Sequence, residues 1–436
     1  MGVAVETIKS TIRLSCTEIK DRYKKAWNRN TVSTLFITIM FVFFAVFVAA
    51  MIMTGGDSFY YSLWHDRRDV FMDHFNSVVY SLDHPNYPPL AILFYYVFNC
   101  LTVPFLDPAH TGGFDIRDSQ MGMLSFLIMT LLTFYLLHIL FRILMKKTNS
   151  EKEGGTGIRT EVLFLLIVVS FPFIFALERG NSIILTLVFC LAFLMGYRSE
   201  NRIVRYASYI ALGCAVGFKL TPAILWLLII RERRYMEAGI CAVVAVLSFV
   251  PFALIIPDML EHNIVATSIL YPGTGGFFNL YQLASMMFGE ILGLEEGITA
   301  TISTVIVLVF TLLSSVVVLF AKNMKFWKIV ALLCCTISLG FGIPGGYMLI
   351  YLSIPLMFFI ATEKKMTKNN LFYLICFIMV IALMPVMEKW YYFNTSIRVV
   401  FVIIVAVALI SEGLLNIYRN WRMRSRSESA ELLANT

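Results

Sequence analysis

Apolar runs of helical length recur along almost the whole chain, from Thr31 to Tyr418, and short polar or basic stretches separate them. A membrane-spanning helix needs roughly 20 mainly apolar residues, so this pattern predicts an all-α protein that crosses a membrane many times. The predicted apolar segments are 31–53, 88–106, 121–145, 161–177, 182–197, 203–218, 221–230, 237–256, 300–321, 326–343, 345–361, 370–387 and 396–419.

The longest polar interruption near the start of the chain, residues 69–90, is predicted to hold an interfacial helix. At helical spacing Asp69 and Asp73 share one face, and the opposite face carries Phe71, Phe75, Val78, Val79 and Leu82. Such a helix lies in a membrane interface with its charged face toward water. Pro88 and Pro89 then begin a new apolar helix. Two carboxylates one turn apart beside a membrane are the first candidates for chemistry.

Composition supports a membrane protein and excludes several other classes. The 436 residues are 59% hydrophobic and only 14% charged, whereas soluble proteins carry about a quarter charged residues. The net charge of +7 comes from short basic clusters between apolar runs, which membrane topology produces, so no nucleic-acid partner is expected. The eight cysteines have no metal-ligand spacing. The cysteines therefore indicate no metal site, the pair Asp69 and Asp73 is only a weak signal for a divalent ion, and no cofactor is expected.

Loop charges predict the topology. The basic N-terminal segment 1–30, the later basic clusters and the tail 420–436 are expected in the cytoplasm, and the acidic loop 257–299 outside. These assignments agree only if segment 88–106 does not cross the membrane. We therefore interpret it as a re-entrant or juxtamembrane helix within one large external region, 54–120. This leaves about twelve spans, between roughly 11 and 13, with both termini inside.

Under this topology the unusual polar residues of the predicted transmembrane domain, 31–419, gather outside. They comprise Asp69, Asp73, the turn Glu178-Arg179-Gly180-Asn181, Lys219, His262, the glycine-rich stretch Pro272–Gly276 and the turn Pro344–Tyr347. A transporter is expected to spread its polar groups toward the bilayer midplane and both faces. A one-sided collection favours an enzyme that works at the outer face of a plasma membrane.

Two cations are candidates for binding an anionic substrate. Lys219 follows an apolar segment and precedes Thr221-Pro222, so it is either a lysine that reaches water from a helix end or a phosphate ligand in a crevice. Arg179 forms either an internal pair with Glu178 or a bidentate phosphate contact. Asn181 is well placed to cap the next helix.

Several short motifs, in this order along the chain, resemble those of glycosyltransferase family 87, a family of polyprenyl-phosphate-mannose-dependent mannosyltransferases. The motifs are Asp73-His74-Phe75-Asn76 with Asn86-Tyr87-Pro88-Pro89-Leu90, then Glu178-Arg179-Gly180-Asn181, then Gly217-Phe218-Lys219-Leu220-Thr221-Pro222. The similarity runs through most of the chain up to about residue 256. The resemblance implies a GT-C fold, in which a bundle of transmembrane helices carries an external active site in its first loop.

The resemblance also implies a reaction and its residues. It implies inverting transfer of one sugar from a polyprenyl-phosphate-sugar donor to a lipid or glycan acceptor, without a metal. Asp73 would be the general base, with Asp69 as the second candidate, and Lys219 and Arg179 would face the donor phosphate. The implied substrate-binding residues are Asn76, Tyr87, Glu178, Asn181 and Tyr347.

One departure and two alternatives accompany this interpretation. Some relatives carry a histidine after the late proline-containing turn, whereas Pro344-Gly345-Gly346-Tyr347 has none, and Tyr347 is the residue that would replace it. A ligase or polymerase of preassembled lipid-linked glycans would have a similar composition. A flippase or other transporter would need polar groups through the thickness of the membrane, and these are sparse in the apolar runs.

Overall fold

The computed structural model of the protein describes residues 24, 30–56, 70–80, 87–107, 112–148, 156–249, 277–340, 346–385 and 391–434. Every regular element within these ranges is a helix, which confirms the all-α prediction for them. The α-helices are α1 (Thr31–Met53), α2 (Met72–Tyr80), α3 (Pro89–Thr102), α4 (Gly113–Asp118), α5 (Gln120–Thr148), α6 (Thr156–Val168), α7 (Phe171–Arg179), α8 (Ile183–Gly196), α9 (Arg202–Phe218), α10 (Trp226–Arg231), α11 (Tyr235–Phe249), α12 (Leu280–Ser285), α13 (Glu296–Phe320), α14 (Phe326–Leu339), α15 (Ser353–Thr362), α16 (Lys368–Ile381) and α17 (Tyr391–Ala434).

Four helices among the described residues are long and apolar enough to cross a membrane. They are α1, α5, α13 and the Asn394–Met423 part of α17, and a fifth is added if the bent pair α6 and α7 forms one span. Seven further apolar helices have only 10 to 17 residues. These lengths establish an apolar helical membrane protein, while the twelve-span count and the orientation of the termini stay predictions.

Some predicted segments are interrupted where the sequence pattern is continuous. The segment 161–177 is broken into α6 and α7, which meet at 57°, and Pro172 lies in the first turn of the second helix. Proline there lacks the backbone donor that would continue the first helix. Segment 221–230, and segment 345–361 from Gly346 onward, each begin as a 3-10 helix and continue as an α-helix.

Asparagine and threonine side chains begin several helices by accepting a backbone hydrogen bond. Asn30 Oδ1 accepts from Ser33 N at 3.1 Å, and Asn279 Oδ1 accepts from Gln282 N at 2.8 Å. Such caps satisfy backbone donors that a first helical turn leaves free. The cap at Asn279 begins α12 inside the predicted loop 257–299, so this stretch is partly helical; its residues 257–276 lie outside the described ranges.

Helices α2, α3 and α4 are held by an apolar cluster separate from the main core of the bundle. Met72, Phe75 and Val78 of α2 pack with Ala91 and Tyr95 of α3, and the cluster is completed by Ile116, Phe126 and Phe218. All eight side chains are at most 4% exposed. The first external region predicted from the sequence therefore contributes a packed layer that lies against α5 and the end of α9.

Candidate active site

Helix α2 presents the predicted amphipathic pattern, with one correction. Phe75 and Val78 are 1% exposed, and the side chain of Asp73 on the other face is 17% exposed. His74, the neighbour of Asp73, is also buried at 1%, and its ring contacts Phe75, Tyr95, Phe98 and Phe126 at centroid distances of 5.1 to 5.5 Å. The buried face of α2 is therefore wider than its apolar residues indicated.

The carboxylate of Asp73 is held by the turn that follows α7. Arg179 Nη2 donates to Asp73 Oδ1 at 2.7 Å, and Asn181 Nδ2 donates to Asp73 Oδ2 at 3.0 Å. The Arg179 side chain is 27% exposed, so the pair lies at the boundary between protein and solvent. The structure therefore brings Asp73 together with two other sequence-predicted residues, Arg179 and Asn181, which follow it by 106 and 108 positions in the chain.

The turn has this shape because a glycine ends α7. Gly180 adopts φ +67°, a left-handed conformation that a side chain disfavours. The chain then reverses, and Asn181 N donates to Ala176 O at 2.9 Å while Asn181 Oδ1 accepts from Ile183 N at 3.1 Å. Asn181 therefore forms a side-chain turn just before α8, whose N-cap residue is Ser182, and it holds Asp73 with the other end of the same amide.

A backbone contact fixes the distance between α2 and this turn. Phe71 N donates to Glu178 O at 2.6 Å, and Phe71 itself has φ +63°. The Glu178 side chain is 2% exposed. The predicted role of Glu178 in substrate binding stays a prediction, now for a carboxylate that is buried in the structure.

Lys219 follows the last residue of α9 and lies between two tyrosine rings. Its Nζ is 4.4 Å from the ring centroid of Tyr87 and 5.8 Å from that of Tyr347. Aromatic faces attract cations, so the rings stabilise a charge that burial penalises. Burial lowers the pKa of Lys219 to about 8, although the nearby Asp73 carboxylate acts in the opposite direction. Among the described contacts, no hydrogen bond or ion pair occupies Nζ.

Both tyrosines that contact Lys219 belong to the same site. Burial raises the pKa of Tyr87 well above its usual range, and the neighbouring groups Tyr95, Asp73 and Tyr347 add to this effect. Tyr347 stacks on Phe175 with centroids 6.4 Å apart, and Phe175 stacks on Phe171. The predicted residues Tyr87, Lys219 and Tyr347 are therefore gathered beside Asp73.

One predicted residue lies outside the described ranges, and another stands apart from this cluster. Asp69 lies outside the described residues, as do His262 and the glycine-rich stretch 272–276. Asn76 is exposed and lies against α4, where a Cβ added to Gly113 would come within 2.4 Å of its Oδ1. None of the contacts described for Asn76 joins it to Asp73, Arg179 or Lys219.

Sequence reasoning missed the aromatic support of the site. Phe171 and Phe175 extend the stack behind Tyr347, and Ser77 Oγ donates to the backbone oxygen of Asp73 at 2.5 Å. Phenylalanine is so frequent in this chain, with 37 residues, that no individual ring stood out. Within the described ranges, no group of three His, Cys, Asp or Glu side chains could hold a metal ion.

Comparison with protein families assigns the class. The model of glycosyltransferase family 87 matches residues 86–341, which is more than half of the chain, and the protein belongs to this family. The chain is therefore a membrane glycosyltransferase. The match includes Tyr87, the Arg179 turn and Lys219, but begins after Asp73 and ends before Tyr347. No curated protein and no solved structure matches the chain.

Gly180→Ala is expected to destabilise the protein more than Gly293→Ala. Both glycines have φ +67°, which costs any L side chain about 1–2 kcal/mol. A Cβ at Gly180 would also lie 3.0 Å from Phe71 O and from His74 Cβ, whereas Gly293 has nothing within 4 Å. Thermal unfolding of the two purified variants measures the difference. Equal losses would mean that α2 does not pack against the turn as described.

His74 is expected to make the protein less stable as pH falls. Burial lowers the pKa of His74 to about 3, from the usual 6.5. Between these values the unfolded chain binds more protons, so stability rises with pH across this window and is lost toward its acid end. At pH 5 the loss relative to pH 7 is about 2 kcal/mol. Thermal unfolding of His74→Phe should lack this component; an unchanged pH dependence would contradict it.

Proposed function

We propose that this glycosyltransferase moves a single sugar, mannose in the first instance, from a polyprenyl-phosphate donor to a lipid or glycan acceptor. The reaction takes place at the outer face of the plasma membrane, in a bundle of about twelve spans with both termini in the cytoplasm. The observation that carries the proposal is the arrangement of one carboxylate, Asp73, between two cations, Arg179 and Lys219, where apolar helices end.

Asp73 is the proposed general base. The acceptor hydroxyl attacks the anomeric carbon, its proton passes to the Asp73 carboxylate, and the bond from the anomeric carbon to the donor phosphate breaks with its electron pair leaving on the phosphate. A single displacement of this kind inverts the configuration. A positioned base contributes roughly 10²–10⁴-fold to such a step. Since Asp73 is fixed from two sides, its remaining lone pairs have a defined direction.

Arg179 links donor binding to the base. Its guanidinium is a good bidentate partner for phosphate, and in the structure it is engaged with Asp73 Oδ1. A donor phosphate therefore competes with Asp73 for the same group. When the phosphate binds, Oδ1 is released toward the acceptor hydroxyl, so the base becomes available in the complex where it is needed.

Lys219 is the second cation for the phosphate. Among the described residues, no acidic side chain forms an ion pair with it, and its Nζ lies against the rings of Tyr87 and Tyr347. Negative charge that develops on the departing phosphate is stabilised by a cation that is already positioned and partly dehydrated. Tyr347 fills the place where some relatives carry a histidine.

The first test is transfer of radiolabelled mannose from polyprenyl-phosphate-mannose by membranes that contain the protein. Transfer to a lipid or glycan fraction supports the proposal. Absence of transfer from this donor and from other polyprenyl-phosphate sugars, with the protein well expressed, would overturn it in favour of a ligase of preassembled glycans.

Asp73→Asn is expected to reduce transfer by about 10²–10⁴-fold, because the amide cannot accept the acceptor's proton. The matched control is Asp118→Asn, which removes an exposed carboxylate of the same region that pairs only with its neighbour Arg117 in the described contacts. The control should retain wild-type transfer. An active and well-folded Asp73→Asn protein would exclude Asp73 as the base.

Lys219 is expected to make donor binding pH-dependent. Its pKa of about 8 means that the cation is lost as pH rises through this value, so the donor KM should increase above pH 8 while the acceptor KM changes little. Lys219→Arg should flatten this dependence, because a guanidinium keeps its charge there. Lys219→Ala should weaken donor binding at all pH values. Equal loss for donor and acceptor would indicate a structural role.

A further inference from the structure

A row of three aromatic rings links Lys219 to the interior of the bundle. Tyr347, whose ring centroid is 5.8 Å from Lys219 Nζ, stacks on Phe175, and Phe175 stacks on Phe171. The ring planes of the two pairs are inclined by only 12° and 14°, and their centroids are 6.4 and 5.7 Å apart. These three rings form the aromatic stack, which runs from the 3-10 helix Gly346–Leu352 to the first residue of α7.

A buried cation covers the other end of the aromatic stack. The guanidinium of Arg398, in α17, lies 4.0 Å from the ring centroid of Phe171, and Arg398 is 0% exposed. A flat guanidinium packs well against an aromatic face, and the attraction is strongest where water is excluded. Arg398 Nη1 also donates to Val380 O at 2.8 Å, near the end of α16. Arg398 therefore connects α7, α16 and α17 at one point.

Stability alone explains Arg398 poorly. Its Nε and Nη2 atoms are buried and have no hydrogen-bond partner among the residues that the structure describes. Buried donors without acceptors are costly, and apolar side chains of similar volume often replace buried charges without loss of stability. A role that needs a guanidinium over the Phe171 ring accounts for this residue better.

The packing of the aromatic stack couples its two ends. Phe171 and Phe175 are one helical turn apart in α7 and are only 1% and 5% exposed. Gly346 brings the 3-10 helix against both rings, since a Cβ added there would lie 3.5 Å from Phe175 and 3.6 Å from Phe171. Tyr347 is only partly buried, so it is the ring with room to move. In close packing of this kind, a displacement of Phe171 is passed on to Tyr347.

At the Lys219 end, the last ring of the aromatic stack excludes water. The titratable groups described around Nζ are the two tyrosines that face it, Tyr87 and Tyr347, and the nearby carboxylate of Asp73. Burial is the largest effect on the pKa of Lys219 and lowers it from 10.5 to about 8. Loss of the Tyr347 ring from this place would admit water and return the pKa toward its ordinary value.

We propose that Arg398 is a positioning residue for Lys219 and acts through the aromatic stack. By holding Phe171 it fixes Phe175 and Tyr347, and Tyr347 keeps water away from Nζ. This step concerns Lys219 with any anionic ligand. Its consequence for the donor phosphate rests on the proposed function.

The test measures the reactivity of Lys219 in the full-length protein, reconstituted in lipid nanodiscs. Lys219 is partly exposed, so a small amine-reactive reagent reaches it, and labelling across a pH series is quantified by peptide mass spectrometry. Only the unprotonated amine reacts, so the pH of half-maximal labelling reports the pKa. The wild type should reach it at about pH 8. Phe171→Leu and Phe175→Leu should raise it by about one pH unit.

Phe173→Leu is the matched control. Phe173 lies in α7 between the two stacked phenylalanines, is 0% exposed, and its ring contacts Phe134 outside the aromatic stack. Its thermal unfolding should show a similar loss of stability, because the same ring is removed from the same core, but the pH of half-maximal Lys219 labelling should not change. An unchanged or lower pH in the two stack variants, or an equal rise in Phe173→Leu, would overturn the proposal.

Substitutions of Arg398 separate its contacts from its charge. Arg398→Met removes both, whereas Arg398→Lys keeps the charge but cannot cover the ring with a flat group while it donates to Val380 O. Both variants should raise the pH of half-maximal Lys219 labelling by about one pH unit. A rise in Arg398→Met alone would mean that Arg398 acts through its charge, and it would contradict the role of the aromatic stack.

The positioning role and the proposed function can fail separately. A higher pH of half-maximal labelling in the stack variants, without sugar transfer from any polyprenyl-phosphate donor by the wild type, would support the positioning role and reject the proposed function. Sugar transfer by the wild type, with unchanged Lys219 labelling in the stack variants, would support the function and reject the positioning role.

Discussion

The contact between Asp73 and the turn after α7 is the constraint on which the position of α2 depends. Helix α2 has only nine residues, too few to be stable by itself in water. Its apolar face packs into the cluster around Phe75, while Arg179, Asn181 and the Glu178 carbonyl fix its polar edge. Apolar packing determines which face of α2 turns inward, and the polar contacts determine where along the turn its carboxylate lies.

Cationic side chains have different partners at the two ends of α9. Just before the first residue of α9, Arg198 pairs with Glu232. In α14, the Nζ of the buried Lys328 is 2.6 Å from a carboxylate oxygen of Glu412 in α17. These charges are neutralised by partners, as stable membrane proteins require. At the other end of α9, Lys219 has only aromatic faces around its Nζ among the described contacts. We propose that this positive charge serves the donor phosphate, and the tyrosine rings reduce the cost of burying it in the free protein.

Most of the helices could be predicted from the sequence, for identifiable reasons. Apolar length located α1 to the residue, and the short charged turn at Glu178–Asn181 was conspicuous between two apolar runs. The pairing of Arg179 with Asp73 could not be predicted, since a pair of Arg179 with Glu178 also fits the sequence. The observed pairing depends on the bend between α6 and α7 and on the left-handed conformation of Gly180. The burial of His74 and Glu178 could not be predicted for a different reason. A polar or charged residue type indicates polarity, and it does not indicate how deeply the side chain is buried.

Asn181 has a consequence that reaches beyond chemistry. One side-chain amide both forms the turn just before a helix of the core and holds the carboxylate proposed as the base. Because both contacts use this one side chain, a replacement at position 181 is expected to alter the folding of the protein together with the proposed catalysis. Diversification of the enzyme toward other acceptors is therefore expected to occur at residues that contribute either to folding or to the site, but not to both. Position 181 is expected to remain asparagine while the residues around it change.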